Sequence, residues 1–574
     1  MASWREKSVD GNRLGELEAI GYPKLVARLL ALRGQTAESV GRYLGPSIRD
    51  LASPLGLQGV DKAVECILGN LENIVVFGDY DCDGISATAI MARALNALKP
   101  GCAKTFIPER HSEGYGMNEA SVERMLRECA PVKMVITVDN GIGALEYVKR
   151  LKAAGIKVVV TDHHLPGEDL EELERTADAL VNPKVSATDE LKELCGAGVA
   201  FMLANALIGT ARERGLYAGP KIGESLLVMA GIATVTDIMM LTGQNRILVA
   251  EALKRFRTSA PVGLRELYAR AARTSAAGLT CKDFGFLIGP RINAAGRMAS
   301  GSMALELMME QDRDKASRMA YEVDKLNTFR KQVEGAMTEE ALGQVKEGAA
   351  AQVIELKSGE KERQGVAGIV AARIMEKLKT GPVAITVNGH GSCRAPEGFN
   401  VHAALTAAAE SLESFGGHSL AGGFTVKEGA MENFRAKFEE AAAKQAAELK
   451  AAGMTPDTVW YDAEVEGREL TLELADAIKK MAPFGEGNEE PVFRISNAYL
   501  SNVRTLGAEG KHLAVEFKDV RMPRAVWWNH GDKLEELRAN SAHQVDVLCT
   551  LEVSDYGTRH VELRLSGMAM SENF

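Results

Sequence analysis

The chain has 574 residues, 46% hydrophobic and 25% charged, and its 68 Lys and Arg against 78 Asp and Glu leave a formal charge of −10. That length exceeds what one hydrophobic core organises and predicts about four domains, and the ordinary composition excludes a largely disordered or fibrous protein. A chain this acidic is not coated in positive charge, so any contact with nucleic acid must be confined to a local groove or patch.

Residues 1–50 predict an N-terminal helical segment, with apolar residues at helical spacing over Leu25–Leu32 and a stop at Gly34. The first residues, Met1 to Lys7, lack the apolar run of a signal peptide. From 51 to 244, amphipathic helices separate the β-branched runs Ile74–Phe77, Met134–Val138 and Lys157–Thr161. That alternation predicts a parallel sheet with βαβ crossovers. Residues 245–350 predict a helical connector. Between Asn245 and Ser275 it carries seven basic residues (Arg246, Lys254, Arg255, Arg257, Arg265, Arg270, Arg273) against Glu251 and Glu266, a local reversal of the chain's acidity. Gln311 to Ala351, poor in Gly and without Pro, predicts a long connecting helix. Residues 351–453 predict a smaller α/β unit ending in the Ala-rich helix Met431–Ala452, before a linker at Gly453–Pro456. From 456 to 570, strand-like runs such as Leu513–Phe517, Val545–Val553 and His560–Leu565 predict a β-barrel module.

The eight cysteines form no CxxC pair, which disfavours a zinc knuckle or a disulfide scaffold and fits free thiols in a reducing cytosol. No apolar run of ~18 residues predicts a membrane span. The expectation is a cytoplasmic protein without a membrane anchor.

Each of the three predicted strands ends at an acidic residue, on the edge where open α/β sheets bind ligands. The first leads into Gly78-Asp79-Tyr80-Asp81-Cys82-Asp83-Gly84, the second into Asp139-Asn140-Gly141, and the third into Asp162-His163-His164. Three carboxylates in five residues repel one another and stay ionised most easily around divalent cations. An EF-hand calcium loop is the alternative, but it needs Glu at its twelfth position, where Ile90 stands. Oxygen ligands mixed with imidazole suit Mn²⁺ or Mg²⁺ better than a thiolate-type zinc site. A cluster of this charge predicts about two ions, which activate water and stabilise phosphoryl displacement.

These three motifs resemble those of the DHH phosphoesterase superfamily, with Asp237 in Ala233-Thr234-Val235-Thr236-Asp237 resembling the fourth. Pro108-Glu109-Arg110, Glu113-Gly114-Tyr115-Gly116 and Gly289-Pro290-Arg291-Ile292-Asn293-Ala294-Ala295-Gly296-Arg297 resemble its RecJ-type exonucleases. In the second half, Gly391-Ser392-Cys393-Arg394 and Phe415-Gly416-Gly417-His418 resemble the DHHA1 partner domain, and Ala482 to Phe493 resembles the entry to an OB fold.

The resemblance implies a DHH domain at 51–244, a DHHA1 domain at 351–453 and an OB-fold domain at 456–570. It implies two Mn²⁺ or Mg²⁺ ions held by Asp79, Asp81, Asp83, Asp139, His163 and Asp237. Asp139 would bridge them, and His164 would stabilise the charge that develops on the phosphate. Arg110 would take the 5′ phosphate, and Arg291, Ser392, Arg394 and His418 the backbone phosphates. The implied activity is exonucleolytic release of 5′-mononucleotides from the 5′ end of single-stranded DNA, by attack of metal-activated water, in DNA repair and recombination. The implied protein is a monomer, with a single-strand-binding protein and a RecQ-type helicase as partners. Trp527 and Trp528 are candidate base-stacking residues, of which at least one should be core, since adjacent strand residues face opposite sides.

One departure stands out. Arg363 occupies the position where the family usually has His, shortly before Gly365-Val366-Ala367-Gly368. Three other readings fit parts of the sequence. A DHH phosphodiesterase for short or cyclic nucleotides would not need the C-terminal module. A non-catalytic DHH scaffold would have lost metal carboxylates. A plain single-strand-binding protein leaves the acidic cluster without a purpose.

Overall fold

The structure is a computed structural model that describes residues 4–272, 278–356, 361–451, 458–519, 521–540, 543–554 and 558–571. They form two compact units, one of residues 51–451 and one of residues 4–50 with 458–571.

The larger unit begins with a five-stranded parallel sheet. Its spatial order is Ala103–Phe106, Ile74–Phe77, Met134–Val138, Lys157–Thr161, Ala179–Val181. The three central strands read as continuous apolar runs because helices cover both faces. The chain enters the sheet at Ile74–Phe77, places the next strand on one side of it and all later strands on the other. The strand order therefore reverses between Ile74–Phe77 and Met134–Val138, and such switch points open a crevice beyond the strand ends. Phe77 is paired with Thr137 and Val138 with Thr161, so Asp79, Asp139 and Asp162 emerge within two residues of one another along the sheet edge.

Helices Gly196–Glu213 and Gly223–Thr236 pack with the helix Cys82–Leu98 in one core. Helices Gly243–Ser259, Val262–Ala271, Gly289–Met298 and Gly301–Met309 follow, and then the 30-residue helix Arg313–Leu342. Its buried residues, Ala316, Ala320, Val323, Asn327, Arg330, Glu334, Met337 and Ala341, recur every three or four positions. That single stripe is why a segment rich in charge stays helical over 30 residues. A second, mixed sheet runs in the order Leu412–Gly417, Ala421–Val426, His390–Arg394, Val383–Val387, Gln352–Leu356. Helices Lys361–Leu378 and Met431–Ala451 accompany it.

In the other unit, Phe493–Leu506, His512–Phe517, Ala525–Trp527, His560–Met570 and Gln544–Ser554 pair in that order. Gln544–Ser554 also pairs with Phe493–Leu506, which closes a five-stranded barrel. The N-terminal segment belongs to this unit. Trp4–Glu6 pairs in parallel with Val459–Tyr461, and Leu17, Leu29 and Leu30 share a core with Phe493, Val515 and Leu563. Trp527 is buried and stacks on His530, whereas Trp528 is exposed. All eight cysteines are free thiols. Among the described residues, no helix is long and apolar enough to cross a membrane.

The long helix contains a buried ionic bracket. Arg330 donates to Glu334 (2.7 Å) and Asn327 (2.7 Å), and Glu334 also pairs with Arg373 of helix Lys361–Leu378. Removing one member of such a group strands a buried charge. Glu334→Ala is therefore expected to lower unfolding stability by about 3 kcal/mol, read as a lower urea midpoint. An unchanged midpoint would contradict the bracket.

Candidate metal centre and phosphate-binding arginines

The geometry starts with two close packings that exclude side chains. A Cβ on Gly84 would come within 2.6 Å of the Asp79 side chain, and one on Gly196 within 2.6 Å of the Asp139 carboxylate. Asp81 caps the helix Cys82–Leu98, accepting from the backbone N–H groups of Asp83 and Gly84 at 3.0 Å each. Asp83 is held by a second helix N-terminus, where Gly196 N–H (2.7 Å) and Ala197 N–H (2.8 Å) donate to its two oxygens. Asp139 follows its strand with φ +61°, a left-handed conformation that aspartate tolerates better than most residues. Asp237 ends the helix Gly223–Thr236.

Three groups of potential ligand atoms result, each within 4.8 Å: Asp79, Asp81 and Asp139; Asp83, His163 and Asp237; Asp139, His163 and His164. The structure thus brings all six residues expected as metal ligands, and His164, into one cluster. His163 Nε2 lies 3.1 Å from Asp139, 3.7 Å from Asp83 and 3.8 Å from Asp237.

The cluster is electrostatically costly without cations. Burial and then neighbouring carboxylates raise the pKa of Asp79 and Asp139 far above the ordinary range, and raise that of Asp81 as well. Asp237 is pushed up to about 9 by burial, Asp83 and Asp81. Among the described residues, Asp79 Oδ1 and Asp139 Oδ1 are buried without a hydrogen-bond partner. Buried acceptors left this way cost stability unless a cation completes them. The donor set, mostly carboxylate with one or two imidazoles, fits hard divalent cations.

The pKa values of the two histidines are shifted in opposite directions. Burial lowers the pKa of His163, against the pull of Asp83, and leaves it neutral as a metal ligand requires. Burial works against charged His164 too, but Asp162 outweighs it and the pKa is raised. Asp162 is the reason. Its Oδ1 accepts from His164 Nδ1 (2.7 Å) and His163 N–H (2.7 Å), and its Oδ2 accepts from Ile142 N–H (2.9 Å). Reading the sequence alone assigned Asp162 no role, because a strand-end carboxylate looks the same whether it binds metal or orients a neighbour.

The predicted phosphate contacts divide. Arg110 lies over the Tyr80 ring (4.9 Å), close enough for its charge to act on Asp79. Ser392 and Arg394 lie on one strand, and Ala421, opposite Arg394, accepts from the backbone of His418 in the adjoining turn (2.8 Å). A Cβ on Gly368 would come within 2.8 Å of the Arg394 guanidinium, so the helix Lys361–Leu378 passes directly beside it. Arg291 is placed differently. Its guanidinium is buried against Asp324 (2.8 Å) and the Leu287 carbonyl (2.8 Å), bracing its helix on Arg313–Leu342. Arg297, at the end of the same helix, instead lies within electrostatic reach of Arg110 and Arg394. It is half-buried, and desolvation together with Arg110 and Arg394 lowers its pKa to about 9. Arg297 donates to the Gly365 carbonyl (2.7 Å), and His111 Nε2 donates to the Arg297 carbonyl (2.9 Å). Arg110 thus works against the charge of Arg297 and of Arg394, and Arg394 against that of Arg297, as in a site preformed for an anion. The repeated arginines of the 289–297 motif were its only signal in sequence. Arg363, the departure from the family pattern, pairs with Glu340 of the long helix.

Comparisons with known proteins agree with this geometry. Residues 73–232 match the DHH family, N-terminal domain, residues 347–444 the DHHA1 domain, and residues 461–567 the RecJ OB domain. The single-stranded-DNA-specific exonuclease RecJ of Bacillus subtilis is 30% identical over 584 residues, spanning 99% of this chain and 71% of its own. The chain belongs to the RecJ family. Crystal structures of Thermus thermophilus RecJ superpose on 99% of the chain. The complex with Mn²⁺ has a TM-score of 0.81 at 30% identity over 79% of its length, and the complex with Mg²⁺ 0.75 at 29% over 78%.

The raised carboxyl pKa values have a signed consequence. Asp237 holds a proton in the folded, metal-free chain that the unfolded chain has released, between the ordinary value of 3.8 and about 9. Stability of the chelated protein therefore falls as pH rises through that window. The gain in unfolding temperature on adding Mn²⁺ to EDTA-treated protein is expected to be larger at pH 9 than at pH 6. Equal gains at both values would contradict the cluster's assignment.

Proposed function

We propose that this RecJ-family enzyme hydrolyses single-stranded DNA from the 5′ end to 5′-mononucleotides, using two Mn²⁺ or Mg²⁺ ions. The observation that carries the reading is the carboxylate–imidazole cluster at the sheet's switch point, with Arg110 and Arg297 within electrostatic reach of its carboxylates and Arg394 close to both arginines. Bound by Asp79, Asp81, Asp83, Asp139, His163 and Asp237, the cations supply a nucleophile from water at neutral pH and neutralise the developing phosphorane charge.

The chain's own groups supply the rest. Asp139, whose uncommitted Oδ1 lies nearest His163, belongs to two of the three ligand groups and suits a bridging role. His164, oriented by Asp162 through its Nδ1, donates to a non-bridging phosphate oxygen. Arg110, Arg297 and Arg394 hold a phosphate so that the first phosphodiester lies at the cluster. Three guanidiniums exceed what a singly charged diester needs and suit a dianionic terminal phosphate, which supports attack at a chain end. Ser392 and His418 take the next backbone phosphates. The 5′ polarity, a role in repair and recombination, monomeric action in the cytoplasm and partnership with a single-strand-binding protein or a RecQ-type helicase rest on family membership.

The test uses 5′-labelled single-stranded and blunt duplex DNA with Mn²⁺, Mg²⁺ or EDTA. Metal-dependent release of labelled mononucleotide from the single strand alone is expected. Asp139→Ala should reduce the rate by about 10³-fold or more while circular dichroism shows an unchanged fold. A folded variant cleaving at the wild-type rate, or metal-independent retention of the strand without cleavage, would overturn the proposal.

A further inference from the structure

The basic excess of residues 245–275 is not consumed by the catalytic site. Arg246 is buried, and Lys254 and Arg255 both pair with Glu251. Arg273 lies outside the described residues. Arg270 is different. It is exposed at the end of helix Val262–Ala271, and its guanidinium lies 4.7 Å from the ring centre of Tyr321 on the neighbouring long helix. Tyr321 is 48% exposed. Lys325, one turn further on, lies 5.4 Å from the same ring. Arg318 is exposed one turn before it, and Phe329 is 41% exposed one turn after Lys325.

Arg318, Tyr321, Lys325 and Phe329 are spaced by three, four and four residues, so they form one stripe of alternating cation and aromatic ring. Arg270, Ser317, Arg318, Met319, Tyr321 and Glu322 line an open depression of about 600 Å³ beside it. Glu322 is the acidic member and pairs with Lys325 at 3.1 Å, which leaves Arg270 and Arg318 in excess.

We propose that this stripe is an accessory contact for single-stranded DNA, with Tyr321 as a base-stacking platform and Arg270 and Arg318 as phosphate contacts. Charge and shape select this occupant. Exposed rings interleaved with guanidiniums match the alternation of base and phosphate along a single strand, whereas a duplex hides its base faces. Local positive charge on a chain of net charge −10 also directs a polyanion to this face. The inference rests on the exonuclease reading and adds a second place where that enzyme holds its substrate.

The experiment compares wild type, Tyr321→Ala, Tyr321→Phe and Arg270→Ala/Arg318→Ala on oligo(dT) of roughly 40 and roughly 6 nucleotides. For Tyr321→Ala, KM on the long strand is expected to rise about tenfold, with kcat and the short-strand KM unchanged. Tyr321→Phe should behave as wild type, because the ring is kept. In the Asp139→Ala background, the Arg270→Ala/Arg318→Ala pair should reduce the salt-dependence slope of long-strand binding by about 1.4. Unchanged long-strand KM and slope in variants that still cleave would overturn the proposal and leave the exonuclease reading intact. An altered sedimentation coefficient with unaltered DNA binding would also overturn it, by making the stripe a contact between copies of the chain. Failure of the wild type to cleave or bind any single strand would instead sink the exonuclease reading beneath it.

Discussion

The constraint on which the molecule turns is mutual repulsion among carboxylates packed where water cannot screen them. Asp79, Asp81, Asp83, Asp139 and Asp237 converge from two strand ends and two helix ends. Much of the local architecture reads as a response to that cost. Helix N-termini hold Asp81 and Asp83 through backbone amides. Glycines at 84 and 196 remove the side chains that would push the carboxylates apart. What the protein does not satisfy, the bare oxygens of Asp79 and Asp139, is what a hard divalent cation would satisfy.

The opposite charge is concentrated in the same unit by similar means. Arg110, Arg297 and Arg394 come from a loop after the sheet's edge strand, the helical region and the second sheet, so they meet only when three parts of the unit are assembled. A polyanionic cluster and a polycationic one, each unfavourable alone, lie within electrostatic reach of each other. Asp162 raises the pKa of His164 while burial lowers that of His163, so two adjacent residues of one motif are tuned in opposite directions.

Much of this was legible in the sequence because strand-end chemistry is local. The runs Ile74–Phe77, Met134–Val138 and Lys157–Thr161 announce buried parallel strands, and the acids just after them must share one edge. The motifs of the second half, read by resemblance, located Ser392 and Arg394. Less legible was whatever depends on side-chain direction or distant pairing. Nothing in Gly289–Arg297 distinguishes Arg291, which turns to Asp324, from Arg297, which joins the other arginines, because the difference lies in which helix each faces. The pairing of Trp4–Glu6 with Val459–Tyr461 spans most of the chain and has no local signature.

The most direct test of the account is the number of ions the resting protein holds. Equilibrium dialysis against Mn²⁺, followed by electron paramagnetic resonance, should find two ions per chain close enough to couple magnetically, at about 3.5–4 Å. Asp139→Asn should abolish the coupled signal. A single uncoupled ion, or none at neutral pH, would mean that protons rather than cations neutralise the carboxylates, and would contradict the metal centre on which the proposed chemistry depends.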